Sequence, residues 1–90
     1  MCTTIARSGL VRGAGKGAAG WFAVTRCTVG YDHPVHLSDE HAILIDFANY
    51  DIGTDARVAV EIDLDSARVL LAHLAEAVQQ ADALEAEVAP

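Results

Sequence analysis

The 90-residue sequence has two cysteines, two prolines and one tryptophan, and it contains no long apolar run. Two cysteines, Cys2 and Cys27, are too few for a disulfide framework, so both are expected to be reduced. A bilayer-spanning helix needs about 20 consecutive apolar residues, and no such segment is predicted. The first twenty residues also lack the apolar core of a signal peptide, and we therefore expect a cytoplasmic protein.

Basic side chains are scarce as well, with six Lys and Arg against 13 Asp and Glu and a net charge of −7. This charge argues against nucleic acids and membranes as partners. Residues 1–31 carry four cations and no acid, whereas residues 32–90 carry all 13 acids and two cations. We expect these opposite charges to be neutralised within one fold rather than between subunits, although both arrangements fit the pattern.

The apolar fraction, 52%, is enough for a folded core. Ninety residues predict a single domain covering residues 1–90, and a chain of this size buries only a modest share of its surface. An oligomer interface or a bound metal is therefore the expected supplement to its stability.

The apolar pattern predicts an α+β fold. Alternation is clearest at Val58, Val60 and Ile62, which face one way while Arg57 and Glu61 face the other. A glycine-rich turn is predicted at residues 13–20, where four of eight residues are glycine. We predict four strands, at residues 3–12, 21–31, 42–49 and 56–62, and a helix at residues 64–84 before an acidic tail at residues 85–90.

The predicted helix has one apolar stripe, and Asp63 is its expected N-cap. The stripe recurs at steps of three and four residues: Ala67, Leu70, Leu71, Leu74, Ala77, Val78 and Ala81. Short connections favour a four-stranded antiparallel sheet with this C-terminal helix packed on one face (ββββα). The other sheet face then meets either solvent or a second copy of the chain, and we predict a homodimer.

Three of the four histidines lie between Tyr31 and His41. Folding the first hairpin so that Arg12 lies near Trp21 puts Cys2 opposite Tyr31, and folding the second about the histidine segment puts His33 opposite His41. Cys2, His33, His36 and His41 are therefore predicted to gather at one end of the sheet.

Imidazole and thiolate are preferred ligands of zinc and also serve iron, copper and nickel. We predict a divalent metal ion, zinc or iron ahead of copper or nickel, held by His33, His36 and His41 with Cys2 as an optional fourth ligand. Three ligands with an open position indicate catalysis, whereas a fourth closes the site into a structural one. The residues expected to surround these ligands and support them by hydrogen bonds are Asp32, Asp39, Glu40 and Tyr31.

The leading functional hypothesis is a metal-binding protein, with a metal-dependent enzyme of specialised metabolism as its catalytic form. The alternative is a non-catalytic homodimeric module that binds a small molecule or a protein without metal. The histidines can also form an ordinary polar loop, hydrogen-bonded to the backbone or to carboxylates. Residues 15–20 match the G-x-G-x-x-G nucleotide fingerprint, but a strand follows them instead of a helix, so that match is rejected.

Several segments resemble a family of small bacterial proteins of unknown function. They are Met-Cys-Thr at the start, Gly-Lys-Gly-Ala-Ala-Gly-Trp-Phe (15–22), Tyr-Asp-His-Pro-Val-His (31–36), Glu-His-Ala-Ile-Leu-Ile-Asp-Phe (40–47) and Ala-Arg-Val-Ala-Val-Glu (56–61). The resemblance implies that Cys2, His33, His36 and His41 belong to the family's pattern. It implies no activity.

Overall fold

The computed structural model describes residues 5–88 and the side chains of residues 5–87. One antiparallel sheet has the strand order β1-β2-β3-β4, and a single helix follows it, as the sequence predicted. The helix continues to Val88, so part of the expected acidic tail is helical. The elements are β1 (Ile5–Gly17), β2 (Gly20–Asp32), β3 (Ala42–Ala48), a 3₁₀ turn (Tyr50–Ile52), β4 (Arg57–Ile62) and α1 (Leu64–Val88).

The glycine-rich segment belongs to a strand, because β1 continues to Gly17 and pairs with β2 up to Gly20. The connection is thus a short turn through residues 18–19, and Gly20 has φ of 116°, a value that side chains disfavour. The β1–β2 hairpin is therefore longer than predicted, and it has a bulge between Leu10 and Gly13. Both features change which residues of β1 and β2 lie opposite each other. Ile5 lies opposite Tyr31, where the sequence had predicted Cys2, and Cys2 lies outside the described residues.

Strand pairing gives the sheet two chemically different faces, because directly opposed residues share a face. We call one the apolar face, because most of its side chains are apolar: Ile5, Cys27, Val29, Tyr31, Ile43, Ile45, Phe47, Val58, Val60 and Ile62. Arg7, opposite Val29 on the outer strand β1, is a charged residue on this face. We call the other the polar face, made of Ser8, Arg26, Thr28, Leu44, Asp46, Arg57, Ala59 and Glu61. The alternation predicted for β4 is confirmed by these pairings.

The far half of the β1–β2 hairpin curls toward the start of β4. A Cβ added at Gly15 would lie 3.0 Å from Cγ2 of Val24 and 3.5 Å from Cγ2 of Val58, so glycine permits this close approach. The curl encloses a cleft of about 430 Å³. Its lining includes Arg12, Lys16, Trp21, Val24, Phe47 and Val58.

Asn49 fastens this curled hairpin to the end of β3. Its side chain is buried, its Nδ2 donates to the Ala23 carbonyl at 2.9 Å, and its Oδ1 accepts from the Asp51 amide at 3.1 Å. The same oxygen caps the 3₁₀ turn, so one buried amide connects β2, β3 and the turn before β4.

Helix α1 does not cover its own sheet, contrary to the expected packing on one face. Apart from the half-buried Ala67, every described side chain of the helix is exposed. Only Asp63 separates β4 from α1, and its Oδ1 accepts from the Ser66 amide at 2.7 Å, which confirms the predicted N-cap. The one-residue connection is shorter than the roughly two to six residues usual between a strand and a helix.

The core of the single chain is correspondingly small. Val24, Ala42 and Ala48 are the buried apolar residues among those described, and none of the larger side chains there is fully enclosed. Over residues 5–88, no helix is long and apolar enough to cross a membrane.

Candidate functional site around the histidine loop

The histidine loop, residues 33–41, is held by one carboxylate on β4. Glu61 accepts backbone N–H bonds from Val35 and His36 at 2.7 Å each and from Leu37 at 2.9 Å. Three consecutive amides donate to one carboxylate, and hydrogen bonds to a charged acceptor are stronger than those between neutral groups. These bonds therefore fix the backbone of the loop. The loop is therefore anchored to the polar face of the sheet.

These bonds change the acidity of Glu61. The Val35 amide makes the largest contribution to holding the pKa of the Glu61 carboxyl below its ordinary value, and the Leu37 and His36 amides act in the same direction. Removal of the carboxyl from water opposes the effect without reversing it. Glu61 is consequently an anion at neutral pH, and its charge is engaged by the loop.

Two of the predicted ligands come together. The rings of His33 and His41 have centroids 4.5 Å apart with planes inclined by 30°, and Tyr31 stacks on His41 with ring centroids 5.2 Å apart. Nδ1 of His33 lies 2.8 Å from the backbone carbonyl of Glu40, a bond that orients the imidazole. The His41 ring thus contacts both other rings at the end of the sheet.

The third predicted histidine is engaged elsewhere. His36 has a side chain that is 88% exposed, and its Nδ1 lies 3.8 Å from Oε1 of Glu61. Within residues 5–88, no group of three or more His, Cys, Asp or Glu side chains is arranged to hold a metal ion. The three imidazoles therefore do not converge in this conformation.

The carboxylates predicted to surround the ligands act on the backbone or face solvent. Asp32 accepts from the His33 amide at 2.7 Å. Glu40 engages His33 through its main-chain carbonyl, and the side chains of Asp39 and Glu40 are exposed. Tyr31 contacts His41 through its ring.

Beside the anchored loop, the polar face carries a cleft of about 300 Å³. An adjoining hollow of about 570 Å³ shares four of its lining residues: Val35, Arg57, Ala59 and Glu61. Arg57 Nε donates to Oδ2 of Asp46 at 2.7 Å across neighbouring strands. The other oxygen of Asp46 is buried and has no hydrogen-bond partner among the described residues.

Sequence reasoning missed the part played by Glu61 and Arg57. Alternation in β4 placed both on the outer face, but it gave no reason to connect Glu61 with a loop some twenty-five residues earlier. The informative signal was the length of the histidine loop, which is long enough to fold back over the end of the neighbouring β4.

A family model described as "Family of unknown function (DUF6295)" matches residues 1–87. No curated protein and no solved structure matches the chain.

Proposed function

The chain belongs to this family of unknown function, and we propose from its geometry that it is a non-catalytic binding module. It works as a homodimer and takes a small organic amine into the cleft beside the histidine loop. The observation that carries the proposal is the charge of the cleft. The described residues that line it include three carboxylates, those of Asp32, Asp46 and Glu61, and one guanidinium, that of Arg57.

The shape of the cleft supports binding of a small molecule. Its volume of about 300 Å³ lies at the lower end of the range of small-molecule sites. The wall formed by residues 35–37 is fixed by Glu61 before any ligand arrives. A preformed wall lowers the ordering cost of binding, because the loop loses little further freedom.

The charge of the cleft supports a cation as ligand. Asp46 is paired with Arg57, which leaves Asp32 and Glu61 as net negative charge around the space. An ammonium group gains from such a field and donates hydrogen bonds to carboxylate oxygens. Because the cleft is open to water, we expect the attraction to weaken as salt is added.

Two-dimensional ¹H–¹⁵N NMR titration tests the proposal. The probe is putrescine, and the comparison compounds are the uncharged four-carbon diol and the four-carbon dicarboxylate succinate. Putrescine should shift the amide resonances of residues 35–37, Asp46 and Ala59 in a saturable way, and the other two compounds should not.

Charge variants provide the control. Asp46→Asn removes a negative charge from the cleft and leaves the three amide bonds of Glu61 in place. Glu40→Gln removes the same charge from an exposed side chain of the loop. The first should weaken putrescine binding at least several-fold and the second should leave it nearly unchanged. Equal affinity of all three proteins, or equal binding of the diol, would contradict the amine site.

A divalent metal ion is the second candidate ligand, and the 4.5 Å approach of the His33 and His41 rings favours it. His36 would have to leave Glu61 to complete a three-histidine site, and Cys2 would supply a fourth ligand. Zinc or iron is the expected ion, and a metal-dependent enzyme requires a coordination position that stays open.

Elemental analysis separates the two candidates. The metal hypothesis expects one zinc or iron per chain in the wild type, loss of that metal in His41→Ala, and retention in His73→Ala, which removes a histidine from the helix. Metal-free wild-type protein after purification in the presence of zinc or iron would leave the amine site as the remaining proposal.

A further inference from the structure

Two apolar surfaces of the chain are exposed at the same time, the apolar face of the sheet and the stripe of helix α1. We infer that each copy of the chain lays its α1 on the apolar face of a second copy, so that two helices are exchanged across a two-fold axis. This inference rests on the homodimer of the proposed function and is independent of the amine site.

Both surfaces carry large apolar side chains of the kind that are usually buried. On the sheet, Ile5 is 49% exposed and Val29 is 42% exposed. On the helix, Leu70, Leu74 and Leu71 are 46, 58 and 67% exposed. Large apolar side chains at these spacings ordinarily face a core, and a soluble monomer rarely leaves a contiguous apolar patch of this kind uncovered.

The surface area of the chain matches the requirement of a large dimer interface. The accessible surface is 7019 Å², whereas a folded monomer of 9.5 kDa ordinarily exposes about 5,000 Å². The excess of roughly 2,000 Å² per chain is what each partner buries in an obligate dimer. The radius of gyration, 15.5 Å, likewise exceeds the value of about 12 Å for a compact domain of this length.

Charge indicates that the occupant is this particular helix. Arg12 and Lys16 line the cleft under the curled hairpin, and none of the described residues that line it is acidic. Asp82 and Glu85 lie one turn beyond Val78 and Ala81, so they border the apolar stripe. A partner helix seated on the apolar face would therefore bring carboxylates to the hairpin's cations, and it would neutralise the uneven charge of the chain between copies.

The dimensions also agree. The 25 residues of α1 give a helix about 37 Å long. The 13-residue strands of the hairpin extend about 43 Å. One helix is thus long enough to run along most of the hairpin of a partner, whereas its own described side chains beyond Ala67 stay exposed.

Paired charge reversal tests the exchange. In the hairpin variant, Arg12→Glu and Lys16→Glu bring like charges together at both contacts of a homodimer. In the helix variant, Asp82→Lys and Glu85→Lys do the same. Each variant alone should dimerise at least tenfold more weakly than the wild type in sedimentation velocity. An equimolar mixture should form a heterodimer detectable by native mass spectrometry, because both of its contacts are again complementary.

The control carries Glu76→Lys and Glu87→Lys, the same charge change on the opposite side of the helix. It should dimerise like the wild type and should not pair preferentially with the hairpin variant. Circular dichroism verifies that each variant is folded. A monomeric wild type at micromolar concentration would overturn both the homodimer and the exchange. A dimeric wild type whose two charge variants also dimerise normally, or fail to combine, would overturn the exchange alone.

Discussion

Replacing Asn49 tests how the hairpin is fastened to the rest of the sheet. Asn49→Ala removes the bond to the Ala23 carbonyl and the bond from the Asp51 amide. Each contributes about 1 kcal/mol net, so the free energy of unfolding should fall by about 2 kcal/mol. For a chain of this length that corresponds to a melting temperature lower by roughly 8–16 °C.

Asn49→Ser is the matched control, because a serine hydroxyl can still cap the 3₁₀ turn but cannot reach Ala23. It should lose about half as much, near 1 kcal/mol. Urea unfolding followed by circular dichroism gives both values, provided that the protomer concentration is equal for all samples. A change below about 0.5 kcal/mol in Asn49→Ala, or equal losses in the two variants, would refute the assigned role.

Two further predictions concern the loop and the strands. The pKa of Glu61 is lower in the folded protein than its ordinary value of 4.5, so the anchoring of the loop is fully present above 4.5 and is lost as the pH falls through the folded pKa. In an NMR titration, the amide resonances of residues 35–37 should shift together with a midpoint below 4.5. Separate midpoints for these amides would contradict a shared anchor. Gly30→Ala should destabilise the sheet by about 1–3 kcal/mol, because its Cβ would lie 2.9 Å from the Ile5 carbonyl oxygen. Gly9→Ala, where no atom lies within 4 Å of the added carbon, should be nearly neutral in the same urea experiment.

Periodicity was sufficient to predict the fold class. The alternation of Val58, Val60 and Ile62 and the three- and four-residue steps of the helix depend only on which side chains face a core. The register of the first hairpin could not be found in this way. Residues 13–17 are rich in glycine, which favours a turn locally, and only pairing with β2 makes that segment a strand.

The sequence predicted where the histidines lie on the sheet better than it predicted which residues contact them. Counting residues placed His33 opposite His41, and their rings lie 4.5 Å apart. The anchoring of the loop by Glu61 depends on hydrogen bonds between segments about twenty-five residues apart. The length of the loop allows it to reach β4, but the sequence does not single out Glu61 as the acceptor. The same anchoring places His36 beside Glu61. For that reason His36 does not join His33 and His41, as the predicted metal site requires.

The single residue between β4 and α1 makes the length of that connection the expected determinant of assembly state. The apolar face can contact α1 of its own chain or α1 of a second copy through the same side chains. A longer connector would let α1 reach its own sheet, and the high effective concentration of a helix in the same molecule would then favour the contact within one chain. Inserting six Gly and Ser residues between Ile62 and Asp63, so that Asp63 still caps α1, should then convert an exchanged dimer into a closed monomer without changing a single interface side chain. Under the proposed exchange, the length of one connector would decide whether this chain is a dimer or a monomer.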